Sequence, residues 1–381
     1  MTGPLSDIRV VEMGSLIAGP FCGQLMGDMG ADVVKIEPVA GDPMREWGQG
    51  DRPSWWSVIG RNKRSVALDL KSDEGRETAR ALIGKADILI ENFRPGTMEK
   101  LGLDPAKLRR VDPRLIVVRV SGYGQTGPYA ERPGYGGVAE AVGGLRAIIG
   151  FPDRPPARAG ISIGDTLAAS YGCMGALAAL HHRERTGEGQ VVDSALYEAI
   201  LQVMESTVSD YSASGHARSR SGSILPKIAP SNVYPARDGE IMIGGNGDTV
   251  FRRFAKAMDA EWMLEDEMFA THLARGENQS DLDALIAKWT GERSLADIEA
   301  ILEEHGVPAS RLFGPADMLA DPHFAAREAI VDVDDPRLGP LKMQGVFPKL
   351  SATPGAVRRA APATPGADTD EVLSEWLGRL V

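Results

Sequence analysis

Cysteine, histidine and aromatic side chains are scarce in this chain. Among 381 residues there are two cysteines, Cys22 and Cys173, and six histidines, and aromatics make up 6%. Two cysteines cannot build a disulfide framework, so a reducing cytoplasm is the expected compartment. His181 and His182 are adjacent, so a helix turns them in different directions, and no Cys/His spacing suggests a metal site. No apolar stretch approaches the roughly 18 residues that a membrane span needs. The opening Met1-Thr-Gly-Pro-Leu-Ser-Asp-Ile8 lacks a basic region followed by an apolar one, so no signal or transit peptide is expected. Positive charge is also short: 42 Lys and Arg face 53 Asp and Glu, a formal net charge of −11. That balance, with a pI near 5.2, argues against a general binder of nucleic acid or acidic membranes.

What remains is an ordinary globular composition, 43% hydrophobic and 25% charged, with 44 glycines. The length suits about two domains. The first third alternates strands and helices. Ile8–Glu12, Asp32–Glu37, Ser65–Leu70, Ala86–Glu91 and Leu115–Val120 read as strands, with helices over Pro20–Met29 and Ser72–Gly84. Continuous β-branched runs separated by helices imply a parallel sheet covered on both faces. Asp165–Arg183 and Ser194–Thr207 read as longer helices. Tyr211–Gly222 has almost no apolar content and reads as an exposed loop or linker. Beyond it come a strand at Glu240–Ile243 and helices in which Ile286, Trp289, Leu295, Ile298 and Leu302 repeat at helical spacing. The tail is rich in Pro and Gly from Thr353 to Gly366 and ends in a short helix, Asp368 to Leu380. The expected fold is α/β: a large parallel-sheet domain from residues 1–210 and 331–381, a linker at 211–232, and a smaller α+β domain at 233–330.

Gly122-Tyr-Gly-Gln-Thr-Gly127 matches G-x-G-x-x-G and follows a strand. A dinucleotide site needs a helix to open within that motif. Pro128 and Pro133 follow instead, and no regular helix crosses Pro133. The segment is read as a Gly-rich loop and not as an NAD or FAD site.

Two features point to chemistry. Arg61-Asn-Lys63-Arg64, Lys71, Arg94 and Lys100 concentrate positive charge early in an acidic protein. Such a group is commonly a solvated face; the sharper reading is a dock for a small polyanion such as a nucleotide-containing cofactor. The second is Asp165, in Gly160-Ile-Ser-Ile-Gly-Asp165, just ahead of the small apolar run Thr166 to Leu180. A carboxylate in a first helical turn feels the unpaired N–H groups and positive dipole end there. Asp before a helix is most often a cap; the alternative is a nucleophilic carboxylate held at the mouth of an apolar element.

Several segments together resemble the class III CoA-transferase family, which includes formyl-CoA transferases, carnitine CoA-transferases and α-methylacyl-CoA racemases. They are Ala18-Gly-Pro20, Gly30-Ala-Asp-Val-Val-Lys-Ile-Glu37 with Gly41-Asp42, Arg61 to Lys71, Ala86 to Gly96, Ser121 to Pro128, Gly164-Asp165, Thr186-Gly-Glu-Gly-Gln190 and Thr369-Asp-Glu-Val-Leu373. The resemblance covers nearly the whole chain in order. It implies a Rossmann-like large domain built from both chain ends, a small domain between, and an interlocked homodimer. It implies CoA as the bound group, with no metal and no NAD. The family's nucleophilic aspartate falls on Asp165. Its CoA contacts fall on Leu68, Asp69 and Lys71, on Asn92, Phe93 and Arg94, and on Lys100, with the backbone around Ala18 lining the thiol end. Lys and Arg would meet phosphates, and Phe93 would pack near the adenine. Backbone N–H groups at Gly19, Gly136-Gly137 and Gly244-Gly245 are candidates for oxyanion donors.

Three positions bear on substrate: Ile17, Tyr135 and Gly136. The racemases pair the aspartate with a His in a Gly-His-Asp/Asn segment, where this chain has Gly134-Tyr135-Gly136-Gly137. A phenol with pKa near 10 is a poor substitute for that His. Formyl-CoA transferases acting on oxalate carry Gln where this chain has Ile17, and a glycine run where it reads Ser221-Gly-Ser-Ile-Leu-Pro-Lys227. Leu225 to Asn232 and Ile243 to Asp248 instead resemble the subgroup that moves CoA from succinyl-CoA to C4–C6 dicarboxylates such as malate, citramalate, itaconate or glutarate. Lys227 and Arg61 are candidates for the acceptor's second carboxylate. A racemase, an oxalate enzyme and an inactive CoA-binding scaffold remain the alternatives.

Overall fold

A computed structural model describes residues 3–378. Its centre is a six-stranded, wholly parallel sheet in the order β3-β2-β1-β4-β5-β6. The strands are β1 (Arg9–Glu12), β2 (Asp32–Glu37), β3 (Lys63–Ala67), β4 (Ile88–Glu91), β5 (Ile116–Ser121) and β6 (Val191–Ala195). Alternate residues face opposite sides of a strand. Val10, Val33, Ile88, Ile90, Ile116 and Val118 therefore enter one core, with α1 (Ala18–Asp28) and the long helix Ile163–Thr186. Val11, Val34, Leu89 and Val117 enter a second core, under α2 (Asp73–Ile83) and the C-terminal helix Thr369–Leu377. Ser72 caps α2 by accepting from Gly75 N at 3.0 Å, and acids occupy its first turn.

Two short helices follow the outer strands: α3 (Gly136–Val142) after β5 and α5 (Leu196–Gln202) after β6, with the long helix α4 (Ile163–Thr186) between them. By length and composition α4 would suffice to cross a membrane, contrary to the expectation that no stretch approaches that length. Here it is a core helix. Ala168, Ala169, Gly172, Cys173, Ala176 and Ala179 form a stripe of small residues that packs against the sheet and α1.

The chain divides into two compact units, one within residues 1–145, 159–216 and 322–381, the other within 146–158 and 217–321. The second unit holds an antiparallel sheet, β7 (Ser231–Ala236), β8 (Gly239–Gly244) and β9 (Ala309–Arg311), over a core that includes Ile286, Trp289, Ile298 and Leu302. The first unit also carries a hairpin, β10 (Ile330–Asp335) and β11 (Gly339–Gln344).

Several boundaries differ from the sequence reading. β3 begins at Lys63, not Ser65, because two charged residues lie inside the sheet. Residues 191–195 form edge strand β6 where only a helix from Ser194 was expected; the strand is short and buries one end only. Tyr211–Ser214 is the end of a helix, Thr207–Ser214, although none of its residues is buried. The last helix ends at Leu377, and residues 379 and 380 lie outside the described residues. No helix opens within Gly122–Gly127: Gly124 and Gly127 adopt positive φ, and the next helix starts at Gly136.

Candidate active site

In a doubly wound sheet ligands bind beyond the carboxyl ends of the strands, where the strand order reverses. Here that switch lies between β1 and β4. The loop after β1 and the residue after β4 are joined across it: Ser15 N donates to Asn92 Oδ1 at 2.8 Å, and Asn92 Nδ2 donates to Ser15 O at 2.9 Å. Gly14 and Gly19 allow this approach. An ideal Cβ on Gly14 would stand 2.9 Å from Asn92 Oδ1, and one on Gly19 would stand 3.2 Å from Asn92 Cγ.

Ala18 is the first residue of α1 and is buried. Ile17 is buried too, in a cluster with Met44, Trp56, Ile59 and Ala361. Leu68, Asp69 and Lys71 follow β3, and Asn92, Phe93 and Arg94 follow β4. Leu68 and Phe93 both pack on the same core beneath the sheet, so the two segments share one face. Asp69, Lys71, Arg94 and Lys100 are exposed. Among the described residues, the side chains of Lys71, Arg94 and Lys100 make no ion pair.

The other basic residues are not a docking face. Arg61 is 2% exposed and grips Asp28 through Nε at 3.1 Å and Nη2 at 2.6 Å. Lys63 is buried against Glu12, and Arg64 pairs with Asp32, Glu371 and Glu375. Arg61 is therefore withdrawn as a carboxylate receptor, and only Lys71, Arg94 and Lys100 stay available to a polyanion. Lys227, in the second unit, is exposed and holds a left-handed φ of 66°. Its N–H donates to Gln279 Oε1 at 3.2 Å.

Asp165 is half-buried in the first turn of α4, with Ser162 at the N-cap position. α4 leads into β6, so it begins at the same carboxyl edge of the sheet. The Asp165 carboxylate lies over the α-carbon of Gly136, the first residue of α3. An ideal Cβ there would stand 3.0 Å from Asp165 Cγ and closer still to Oδ2. Gly164 completes the approach, since a Cβ on it would meet Gly136 O at 3.2 Å. The starts of two helices thus converge on one carboxylate, in a field that favours the anion. Tyr135 is the N-cap residue of α3 and is 66% exposed.

Of the oxyanion candidates, Gly244 and Gly245 are spent: their N–H groups donate to Pro308 O and Pro230 O at 2.9 and 2.8 Å. Gly19 and Gly136-Gly137 are left.

Sequence reasoning missed the buried ions beneath the β1 loop. Lys35 Nζ donates to Glu12 Oε1 at 2.9 Å and to Gly14 O at 2.6 Å, and pairs with Asp42 Oδ2 at 3.0 Å. Lys63 Nζ donates to Glu12 Oε2 at 2.7 Å and Pro20 O at 2.6 Å. Burial opposes the charge on Lys35, but Glu12 and Asp42 outweigh it and hold its pKa above the ordinary value. At Lys63 burial dominates and lowers the pKa. The available signal was Lys35 inside the apolar strand β2, with Glu12 at the end of β1 and Lys63 at the start of β3.

A family model described as CoA-transferase family III matches residues 5–369. Succinyl-CoA–D-citramalate CoA-transferase of Chloroflexus aurantiacus is 52% identical over 98% of this chain and 94% of its own length. The beta subunit of succinyl-CoA–L-malate CoA-transferase from the same organism is 40% identical over 99% and 95%. The crystal structure of a CAIB/BAIF family protein from Brucella suis superposes with a TM-score of 0.87 at 34% identity, covering 99% of this chain and all of that one. With its Asp165 at the mouth of α4 and a family match across nearly its whole length, this chain belongs to CoA-transferase family III.

Proposed function

We propose that this protein moves CoA from succinyl-CoA to a C4–C6 dicarboxylate, with Asp165 as the nucleophile. The observation that carries the reading is the Asp165 carboxylate, set over Gly136 where two helices begin. The named activities of the citramalate and malate relatives support the substrate class.

Asp165 attacks the thioester carbonyl; the C–S bond breaks, and a mixed anhydride and CoA thiolate form. The thiolate then attacks the aspartyl carbonyl, giving an aspartyl-CoA thioester and the free donor acid. The acceptor carboxylate displaces the thiolate from that thioester, forming a second anhydride. Thiolate attack on the acceptor's carbonyl releases the new acyl-CoA and restores the carboxylate. Every step conserves charge and consumes no proton. Positioning is the main resource, since effective molarities contribute about 7–11 kcal/mol. Gly19 and Gly136-Gly137 supply the oxyanion donors.

CoA lies on the first unit. Leu68, Asp69, Lys71, Asn92, Phe93, Arg94 and Lys100 bind its nucleotide portion, and Ala18 lines the thiol end. Ile17, Tyr135 and Gly136 bound the acyl group. The protein works as an interlocked homodimer in the cytoplasm; Cys22 and Cys173, both free and buried, suit a reducing compartment.

Neither alternative chemistry is favoured. A racemase needs a second proton carrier near neutrality, and Tyr135 is a poor one. An oxalate enzyme needs polar groups for a small dianion, whereas Ile17 is packed among apolar side chains.

The deciding experiment is intact mass after incubation with succinyl-CoA and trapping with borohydride or hydroxylamine. A covalent change located at Asp165 and absent in Asp165→Ala supports the route. Solvent deuterium entering the α-position of a 2-methylacyl-CoA, with no adduct, would overturn it in favour of racemisation.

A further inference from the structure

Four charged side chains, Glu12, Lys35, Asp42 and Lys63, lie together beneath the loop that follows β1, and each is at most 2% exposed. Burying four ions is costly, and an apolar core of equal volume is often as stable or more so. Their hydrogen bonds converge on one short stretch of backbone. Lys35 holds Gly14 O, Asp42 Oδ1 accepts from Leu16 N at 3.2 Å, and Lys63 holds Pro20 O. Leu16 is kept at a φ of 63°, a left-handed conformation unfavourable for a leucine. Asp42 is itself fixed, its N–H donating to Glu37 Oε2 at 2.8 Å.

We propose that Glu12, Lys35, Asp42 and Lys63 are positioning residues for transfer, fixing the Gly14–Pro20 backbone at the switch point of the sheet. The inference rests on the reading of Asp165 and Ala18 given above. Lys35 and Lys63 straddle Glu12, one oxygen each, so β2, β3 and the loop after β1 are tied together. Charge is used because a carbonyl at a strained turn needs a strong donor beneath it, which an aliphatic side chain cannot supply. The same ties hold the start of α1, where Ala18 and Gly19 lie.

The test is the charge-balanced double variant Lys35→Met, Asp42→Asn, which removes one cation and one anion and leaves the Glu12–Lys63 pair. The amide introduced at position 42 keeps an oxygen for Leu16 N, so the N–H groups of Ser15 and Leu16 retain acceptors. Hydrogen exchange of residues 14–20 is expected to quicken about tenfold, and kcat to fall by about tenfold or more with the acceptor KM unchanged. Unchanged exchange would overturn the positioning role, and faster exchange with wild-type kcat would overturn its link to catalysis. If the double variant does not fold, Asp42→Ala, with the Lys35–Glu12–Lys63 chain intact, is measured in the same two ways. If the wild type transfers no CoA, the transfer reading fails, while the exchange measurement still decides whether the cluster holds the loop.

Discussion

The carboxylate of Asp165 occupies the space that a side chain on Gly136 would fill. Glycine at 136 is required by this contact and not by the backbone, since Gly136 does not adopt positive φ. Gly136→Ala is therefore expected to fold, with a loss of about 1–3 kcal/mol from overpacking. It must also displace the carboxylate. A shift near 1 Å at a reacting group costs about 10²-fold in rate, so kcat for CoA transfer should fall by about that factor. Wild-type turnover in Gly136→Ala would show that this carboxylate is not the nucleophile.

Asn92→Ala removes the partner of both Ser15 N and Ser15 O. Leaving such groups unpaired costs about 1–3 kcal/mol each where they are shielded from water. Urea denaturation should show a loss of up to about 2–6 kcal/mol for the two groups together, and the KM for acyl-CoA should rise because the β1 loop is released. A variant with unaltered stability would mean that water replaces the amide.

Lys71, Arg94 and Lys100 should respond differently from Arg61. Each of the three is exposed, so an alanine there is expected to weaken acyl-CoA binding by up to about 1 kcal/mol, more at low salt than at high salt. Arg61→Met leaves Asp28 buried without its cation and should destabilise by about 3–5 kcal/mol. Its KM for the acceptor should stay near wild type if the variant is assayed where it remains folded. A selective rise in acceptor KM would restore Arg61 as a carboxylate receptor.

Cys22 and Cys173 should be almost inert in the native protein. Burial pushes the Cys173 thiol up to about 12 and raises that of Cys22, where Cys173 and Glu12 add to the effect. Only the thiolate reacts, so labelling by a thiol reagent at pH 8 should be negligible until the protein unfolds. The folded state keeps Cys173 protonated above the thiol's ordinary pKa of 9.0, so its contribution to stability is complete below pH 9 and lost as pH rises from there towards 12. Rapid labelling of both cysteines in the native protein would contradict the buried packing of α1 against α4.

Much of the fold is legible without coordinates. Val10-Val11, Val33-Val34, Ile88-Leu89-Ile90 and Ile116-Val117-Val118 are apolar on successive residues, which only a sheet covered on both faces tolerates. β6 and the hairpin β10–β11 were not legible, because each is short, half-exposed and stabilised by its neighbour more than by its own pattern. The Gly164-Asp165 pair stands out in sequence through its place before a run of small residues.

By itself the sequence determined the succession of the first five strands of the parallel sheet, carried the family resemblance, and marked Asp165 as the residue to test. Local pattern suffices for the strands and for the first turn of α4, because burial period and helix starts are properties of neighbouring residues, whereas the family rests on the resemblance of several motifs in order. Only the tertiary structure decided where the charges go. Arg61, Lys63 and Arg64 read as a basic surface until Asp28, Glu12, Asp32 and Glu375 are brought to them from 32 to 311 positions away. Likewise, Gly136 and Asp165 lie 29 positions apart in the numbering and touch only because α3 and α4 begin at the same edge of one sheet. Electrostatics and close approach act through space, so the sequence carries the partners but not the pairing.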